Sequence, residues 1–307
     1  MSDPQQSWRK LYPFSSHYLT TTDGGHQLHY LDEGSGRPVV MLHGNPTWSF
    51  MYRELIKAGK QAGFRCIVPD HLGCGLSDKP QDWPYHLEQH IRNLEQLLDQ
   101  ELQLPEMDLV LHDWGGGIGM GYATRHPEKI RRIILMNTAA FLSKDCPKRI
   151  HLARCPWLGA CLVRGLNAFV ELALRMAPAS KLPENVKNGY RFPYQNWKDR
   201  IATQRFVQDI PLKRKHPSWQ TLAEIEQRLP LLKERKILLC WGEQDFCFHM
   251  RFFRRWKEEF FPQAESRSFP DASHYLLEDK PKEIIPILLN FLKENGTSTP
   301  PPATGNS

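Results

Sequence analysis

Five short apolar runs, separated by amphipathic segments, constrain the fold of this 307-residue chain more than any other feature. The runs are PVVMLHG (38–44), RCIVPD (65–70), DLVLHD (108–113), RRIILMN (131–137) and KILLCWG (236–242). Nearly continuous apolar runs of this length are typical of strands buried on both faces of a parallel sheet. Helix-like segments lie between them, for example at residues 85–102. The alternation predicts an α/β architecture, a mostly parallel sheet flanked by helices with right-handed crossovers.

The alternation is interrupted once, between residues 142 and 213. This stretch has no comparable apolar run, and it is rich in Pro, Trp, Tyr and Arg with helical pieces such as LGACLVRGLNAFVELALRMA. We expect it to form a helical cap inserted into a core domain made of residues 1–141 and 214–296. Residues 297–307 are rich in Thr, Ser and Pro, which predicts a disordered tail.

Composition and charge exclude several functional classes. The formal net charge is +6, and the basic runs at residues 213–216 and 251–259 lie among apolar and acidic residues, so we expect solvated surfaces and no nucleic-acid partner. The seven cysteines include no CxxC pair, which is typical of reduced thiols in the cytoplasm. No stretch approaches the roughly 18 to 20 apolar residues of a membrane span, and the N-terminus has no apolar signal core. We therefore predict a cytoplasmic protein without a membrane span.

The stretch LVLHDWGGGIGMGYATRHPEKI (109–130) predicts a strand, a sharp turn and a helix with Asp113 at the turn. In this arrangement the side chain at the apex stands above the carboxyl edge of the sheet, in front of a helix N-terminus. An aspartate there can attack an electrophilic carbon and form an alkyl-enzyme ester. Gly115 and Gly116 allow close backbone approach, whereas Leu111 departs from the glycine of the serine form of the motif. The alternative is that Asp113 only caps the helix.

Hydrolysis of such an ester needs a base and a group that orients the base. His274, in FPDASHYLLEDKP, follows the last apolar strand, and Asp245, in ILLCWGEQDFCF, follows an inner strand. Along the chain the candidate nucleophile comes first, the acid second and the base third. Enzymes of this layout, which have the nucleophile at a turn between a strand and a helix, have the same order. Asp271 competes with Asp245 for the acid role, but three residues before the histidine it is more typical of a turn.

The turn His43-Gly44-Asn45-Pro46 follows an early strand and brings backbone N–H groups beside the nucleophile. The backbone amides of Asn45 and Trp114 are the predicted oxyanion hole. The side-chain amide of Asn45 and the indole N–H of Trp114 can both point at an anionic leaving group. Each has a plain alternative, since Asn45 fits a turn and Trp114 fits a packing aromatic.

Two further sets of residues are weaker candidates. His86 and His90 are spaced i, i+4 on a helix, but the glutamate of a zinc-protease motif is misplaced, so we predict no metal. Tyr190 and Tyr194 in the cap could protonate a substrate oxygen, or they could be packing aromatics.

Several motifs together identify a resemblance. HGNPTWSFMYR, PDHLGCGLSDKP, HDWGGGIGMG, WGEQDFCF and ASHYLLED resemble those of the haloalkane dehalogenases, in the α/β-hydrolase superfamily. The resemblance covers nearly the whole chain and implies the α/β-hydrolase fold, with Asp113 displacing halide, His274 activating water against the ester, and Asn45 and Trp114 binding the halide. It also explains the aspartate, because a serine would form a stable ether with an alkyl halide whereas an aspartyl ester can be hydrolysed.

The family divides by where the third carboxylate lies. One branch has a glutamate after the strand before the cap, but this chain has MNTAAF there, so Asp245 is the implied acid and the third branch is the implied group. GCGLSDKP, NTAAF, RGLNAF and RFVQDIPL also resemble the β-lactone decarboxylases of bacterial olefinic-hydrocarbon biosynthesis, which share this site and make cis-alkenes. The motifs do not separate the two activities. Epoxide hydrolase and a non-catalytic binding protein are more distant alternatives.

The predicted activity is therefore haloalkane dehalogenase-type hydrolysis, giving alcohol and halide, with β-lactone decarboxylation as the alternative. We expect no cofactor and a small hydrophobic substrate. Self-association, or assembly with other hydrocarbon-biosynthesis enzymes, is left open by apolar residues in the cap and in RFFRRWKEEFF.

Overall fold

The structure, a computed structural model, describes residues 4–294. Its strands form one sheet with the order β1-β2-β4-β3-β5-β6-β7-β8, and they are β1 (Ser16–Thr20), β2 (Gln27–Gly34), β3 (Arg37–Leu42), β4 (Phe64–Pro69), β5 (Met107–Asp113), β6 (Ile130–Thr138), β7 (Lys236–Gly242) and β8 (Glu265–Phe269). β1 pairs antiparallel with β2, and β2 pairs antiparallel with β4. All other neighbours pair parallel. The five apolar runs fall on β3 to β7, so the predicted mostly parallel sheet is confirmed.

Helices cover both faces of the sheet and make up much of the segment between β6 and β7. They are α1 (Arg53–Gln61), α2 (Leu87–Glu95), α3 (Trp114–Arg125), α4 (Lys148–Arg154), α5 (Pro156–Ala160), α6 (Ala168–Met176), α7 (Glu184–Arg191), α8 (Ile201–Gln208), α9 (Trp219–Arg228), α10 (Met250–Arg255), α11 (Leu276–Asp279) and α12 (Pro281–Lys293). Short π-helical turns extend three of them, at Gln96–Glu101, Cys161–Gly165 and Trp256–Phe260. Helices α2, α3, α9 and α10 share one hydrophobic core with the sheet, and α1, α11 and α12 share the other.

Strand β6 shows how the sequence builds these two cores. Ile133 and Leu135 point into one core, and Ile134 and Met136 point into the other. Successive side chains of a strand point to opposite faces, so an unbroken apolar run is what a strand covered on both sides needs. This burial holds the carboxyl ends of the central strands in fixed register, where the candidate site lies.

Residues 142–213 contain α4 to α8 and, within the described part of the chain, no strand. The predicted helical piece at residues 158–177 is broken: α5 runs into the π-helical turn, and α6 begins after Asn167, whose φ of 54° is left-handed. These helices meet the core at several points; for example the Trp48 indole donates to the Gly189 carbonyl oxygen at 3.0 Å. The layout supports the division into core and cap, which stays a prediction. The predicted tail, residues 297–307, lies outside the described residues.

Among residues 4–294, no single helix is long and apolar enough to cross a membrane. The segments Pro156–Gly165 and Ala168–Met176 meet that criterion of length and composition only as a pair, and they are bent by 70° relative to each other.

Candidate active site

Asp113 lies at the sharp turn between β5 and α3. Its backbone has φ 50° and ψ −124°, a region that residues other than glycine rarely occupy. The turn is tight because the neighbouring backbone is close: a Cβ on Gly44 would lie 1.9 Å from the Asp113 Oδ1 atom, and one on Gly115 would lie 2.1 Å from the Leu42 carbonyl oxygen. The glycines therefore let the Asp113 side chain stand at the carboxyl edge of the sheet.

Two backbone amides hold the Asp113 carboxylate. The Asn45 N–H donates to Oδ1 at 2.7 Å, and the Trp114 N–H also bonds this carboxylate. Burial raises the pKa of Asp113; the nearby His274 and the two amides oppose this, but the net direction is upward. The fold thus keeps a partly desolvated carboxylate in place, a condition that favours nucleophilic attack over solvation. These are the same two amides that the sequence predicts as an oxyanion hole.

His274 lies between two carboxylates. Its Nδ1 is 2.7 Å from Asp245 Oδ2, and its Nε2 is 3.7 Å from Asp113 Oδ2. Burial lowers the pKa of His274, but the charges of Asp245 and Asp113 and the hydrogen bond to Asp245 raise it more, so the net direction is upward. With Nδ1–H directed at Asp245, Nε2 faces Asp113 and can take a proton from a water placed there.

Asp245 is held by three donors besides His274. Its Oδ1 accepts from the Cys247 N–H at 2.6 Å and the Phe248 N–H at 3.1 Å, and its Oδ2 accepts from Asn137 Nδ2 at 3.0 Å. The competing acid, Asp271, instead has a side chain 62% exposed that pairs with Lys280 at 2.6 Å. The structure therefore brings Asp245, and not Asp271, to the histidine.

Asn137 and His112 support the site, and the sequence reasoning assigned neither of them this role. Asn137 donates to the Gly242 carbonyl oxygen at 3.0 Å and accepts from the Gly242 N–H at 2.8 Å, so its amide ties the end of β6 to β7 while it bonds Asp245. His112 Nε2 donates to the His274 carbonyl oxygen at 2.9 Å. Their signal in the sequence is position alone, since both are polar residues at the carboxyl ends of apolar strands.

The Asn45 and Trp114 side chains both line a cavity beside Asp113. Asn45 Nδ2 donates to the Thr203 carbonyl oxygen of α8 at 3.1 Å, and Asn45 Oδ1 is buried without a hydrogen-bond partner. The Trp114 ring packs 5.2 Å from Phe206, and within residues 4–294 its indole N–H makes no hydrogen bond. The indole N–H is therefore available to an anionic group in the cavity.

The cavity has a volume of about 480 Å³, within the usual range for ligand sites. Its wall includes the polar groups of Asp113, His274, Asn45, Trp114 and Tyr275. Apolar side chains make most of the remaining wall; from the cap these include Ile150, Leu152, Ala153, Leu162, Val163, Phe169, Leu172, Ala173 and Met176, and from the core Leu87, Phe141, Leu222, Phe246, Phe248 and Phe252. The buried Asp113 carboxylate therefore lies in a pocket suited to alkyl groups.

The weaker candidates are placed elsewhere. His86 bonds Asp209 at 2.7 Å, and the His90 ring stacks on Phe206 at 4.6 Å. The described residues contain no group of three or more His, Cys, Asp or Glu side chains arranged to hold a metal ion. Tyr190 donates to Glu278 at 2.6 Å, and neither it nor Tyr194 lines the cavity.

The chain, in which Asp113 lies at a strand-turn-helix junction of an eight-stranded, mostly parallel sheet, matches a family model. The model for the α/β-hydrolase fold covers residues 37–281. The chain belongs to the α/β-hydrolase fold family. This confirms the predicted fold class and the predicted superfamily.

Within the α/β-hydrolase fold family, the chain is similar to two groups of known enzymes. A cis-3-alkyl-4-alkyloxetan-2-one decarboxylase from Shewanella oneidensis is 45% identical, with 94% of this chain and 91% of that protein covered. Haloalkane dehalogenase 2 from Mycobacterium bovis is 32% identical, with 94% and 96% covered. The crystal structure of haloalkane dehalogenase DatA from Agrobacterium tumefaciens matches with a TM-score of 0.80 at 25% identity, covering 91% of this chain and 96% of that one. The predicted resemblance to both enzyme groups is confirmed.

These relatives show that the chain is an enzyme of the family. The dehalogenases support the predicted dehalogenase-type activity, and the decarboxylase, with its higher identity, matches the predicted alternative. All five predicted site residues meet at the cavity or beside it, since Asp113, His274, Asn45 and Trp114 line it and Asp245 bonds His274.

Proposed function

We propose that this chain decarboxylates cis-3-alkyl-4-alkyloxetan-2-ones, four-membered lactones with two alkyl arms, to cis-alkenes. The observation that carries the proposal is the cap-lined apolar cavity with a buried carboxylate at its wall. Such a cavity fits a substrate that is alkyl apart from one small ring. The name of the 45% identical relative supports the same substrate class.

Asp113, His274 and Asp245 are the proposed catalytic triad. In the first step an Asp113 oxygen attacks ring carbon C4, the C4–O bond breaks, and its electron pair stays on the ring oxygen as a carboxylate on C3. In the second step the C3–carboxylate bond breaks, its electron pair forms the C3=C4 double bond, and the bond from C4 to Asp113 breaks. The products are alkene and carbon dioxide, and the free Asp113 carboxylate is restored. The balance needs no water and no proton.

The stereochemistry of these steps agrees with a cis product. Attack on C4 from the side opposite the ring oxygen inverts that carbon and places the Asp113 ester anti to the C3 carboxylate. Anti elimination then leaves both alkyl groups on the same side of the double bond. The apolar wall favours the second step. Water stabilises the localised charge of the carboxylate more than the dispersed charge of the transition state, so the barrier is lower in an apolar environment than in water.

The other site residues bind and hold charge in this proposal. The indole N–H of Trp114 and the amide of Asn45 orient the lactone oxygens, and His274 in its protonated form balances the carboxylate that opens from the ring. Asp245 stabilises that imidazolium through the 2.7 Å contact. The predicted cytoplasmic location belongs to the proposal as well, and it is supported by seven cysteines that are free thiols.

The test is incubation of a synthetic cis-3,4-dialkyl lactone with the enzyme in H₂¹⁸O, followed by gas chromatography and mass spectrometry. We expect cis-alkene and carbon dioxide in equal amounts, and no β-hydroxy acid. An ¹⁸O-labelled β-hydroxy acid as the main product would show a lactone hydrolase instead, and unchanged lactone would reject the substrate class.

Carbon–halogen hydrolysis is the second candidate, and the free indole N–H of Trp114 beside Asp113 favours it. Here Asp113 displaces halide, and water activated by His274 hydrolyses the alkyl-enzyme ester. Halide release from bromoalkanes of increasing length tests it, with Asp113→Ala as the control. Release with kcat/KM comparable to that for the lactone would make dehalogenation a main activity, whereas absence of release would exclude it.

A further inference from the structure

Large apolar side chains are exposed mainly on the cap. Within residues 4–294, eight such side chains are exposed, and six of them belong to residues 142–213. We call these six the cap patch: Leu152, Trp157, Leu158, Leu166, Leu172 and Trp197. Trp157 is 88% exposed and Leu166 is 72% exposed, values expected of a surface that meets another apolar phase.

The local sequence explains why this surface is apolar. Residues 155–163, CPWLGACLV, contain no charged side chain. The helical turns bury Gly159 and Val163 against the cap interior, so Trp157 and Leu158 are directed outward. A helix apolar on both sides is expected where each side has an apolar neighbour, and among the described residues the outer side has none.

The cap patch is continuous with the entrance of the cavity. Leu152 on α4 and Leu172 on α6 are half exposed, and both also line the cavity. Leu162, in the turn that joins α5 to α6, lines the same cavity from behind the patch. Two of the six residues of the cap patch therefore have one part of their surface on the cavity wall and another part exposed, so the cavity wall and the outer apolar surface meet at Leu152 and Leu172.

The chain segment that carries most of the cap patch is rich in basic residues. Between residues 144 and 175 there are six Lys or Arg and two Asp or Glu. Both acids are paired, Asp145 with Arg251 at 3.7 Å and Glu171 with Arg191 at 2.7 Å. Exposed Lys144 and Lys148 make no ion pair within the described residues. The segment that carries the cap patch thus has positive charge that no ion pair among the described residues compensates.

We infer that the cap patch seats the enzyme on a lipid bilayer with anionic headgroups, with the cavity entrance facing the acyl chains. Tryptophan and leucine enter the headgroup boundary, and lysines above them meet lipid phosphates. A protein partner or a second copy of the chain on this surface would close the entrance, whereas a fluid bilayer leaves it open. The idea that the two-armed lactone passes directly from the bilayer to the cavity rests on the proposed function. The inference that the cap patch binds a bilayer does not depend on that function.

The experiment is flotation of the full chain with vesicles of phosphatidylglycerol and phosphatidylcholine, or of phosphatidylcholine alone, without substrate. We expect binding to the anionic vesicles that weakens in 0.5 M salt, because part of the attraction is ionic. The double variant Trp157→Ser/Leu166→Ser, which leaves the cavity lining intact, should lower the partition coefficient at least about tenfold. Lys144→Gln/Lys148→Gln should lower it roughly tenfold at low salt.

Matched controls lie outside the cap. Tyr18→Ser/Leu231→Ser removes two other exposed apolar side chains, and Lys233→Gln/Lys293→Gln removes two other exposed lysines. Both should bind vesicles as the parent does. The inference is overturned if the parent does not float, if patch and control variants lose binding equally, or if the patch variants change only the oligomeric mass in light scattering. Since no substrate is present, these outcomes are independent of whether lactone is decarboxylated.

Discussion

The carboxyl edge of the sheet and the cap differ in the side chains that they bury and expose: the sheet edge buries charged groups, whereas the cap exposes apolar ones. At the sheet edge, Asp113, Asp245 and His274 are each less than a tenth exposed, and every charge has a hydrogen-bond partner or a counter-charge within 4 Å. In the cap, apolar side chains both line the cavity and remain exposed on the outside. The difference teaches that the reaction is fixed by the register of the strands, whereas the choice of substrate and its route depend on the cap.

The largest expected effect is at Asp113, the proposed nucleophile. Asp113→Asn should lower kcat/KM for lactone and bromoalkane by about 10⁴-fold or more, because neither ester can form. Its unfolding temperature should not fall, since burial already raises the pKa of this carboxyl and disfavours its charge. Kinetics and thermal unfolding test both statements.

The control for Asp113 is Asp108, another buried carboxylate of β5, which bonds Arg37 at 2.7 Å. Asp108→Asn should keep activity, because Asp108 does not line the cavity. Its unfolding temperature should change little, since burial raises the pKa of this carboxyl too, despite the opposing charge of Arg37. If both variants lost stability and activity alike, the distinction between a reactive edge and a structural interior would fail.

The next largest effect is expected at Asn137, which carries no charge but bonds Asp245. Asn137→Ala should cost roughly 2 kcal/mol of transition-state stabilisation, because it leaves the Gly242 N–H without a partner and removes one of the two donors to Asp245 Oδ2. In the exchange Asn137→Asp/Asp245→Asn, a carboxylate stays beside His274, so kcat/KM should exceed that of Asp245→Asn alone. Equal rates for the two variants would show that Asn137 does not position the acid.

Changes of pH should separate the two reactions. Hydrolysis needs neutral His274 as base, so halide release should fall as pH drops through the pKa of His274, which Asp245 raises above its ordinary value despite burial. Decarboxylation needs no base, so it should persist at pH values below the pKa of His274, until Asp113 is protonated. Profiles of kcat/KM for both substrates measure this. Superimposable acid limbs would mean that both reactions use His274 in the same state.

The smallest effect is expected on the cap surface. Leu166→Ala should change the free energy of unfolding by less than about 0.5 kcal/mol, because the side chain is largely exposed. Leu111→Ala, a fully buried position on β5, should cost about 2 to 5 kcal/mol. Denaturant titration of both variants tests the contrast, and a large cost at Leu166 would indicate that the cap patch is covered in solution.

The strands and the positions of Asp113, Asp245 and His274 could be predicted because they follow local rules. A strand buried on both faces must be apolar throughout, and reactive groups follow such strands at their carboxyl ends. Asn137 shows where local rules stop. Its amide acts on Gly242 and Asp245, which are more than 100 residues away in sequence, and only the parallel pairing of β6 with β7 brings them together.

The cap was predictable as helical but not in its detail. The sequence pattern predicts helix across residues 158–177, yet Asn167 breaks it with a left-handed backbone. Which side chains of these helices line the cavity and which remain outside depends on how the helices pack on the core, and amphipathic periodicity is weak where both sides are apolar.

More than half of the residues that line the cavity belong to residues 142–213, the predicted cap, while the proposed catalytic groups are outside this segment. The pocket is therefore modular. Two recombination points in a gene, one on each side of the insertion, would be enough to exchange most of the pocket wall while Asp113, Asp245 and His274 stay in place. Lineages with the same nucleophile can in this way acquire different substrates by replacing a single segment, and libraries built by grafting caps between relatives should diversify substrate choice faster than point substitutions at the sheet edge.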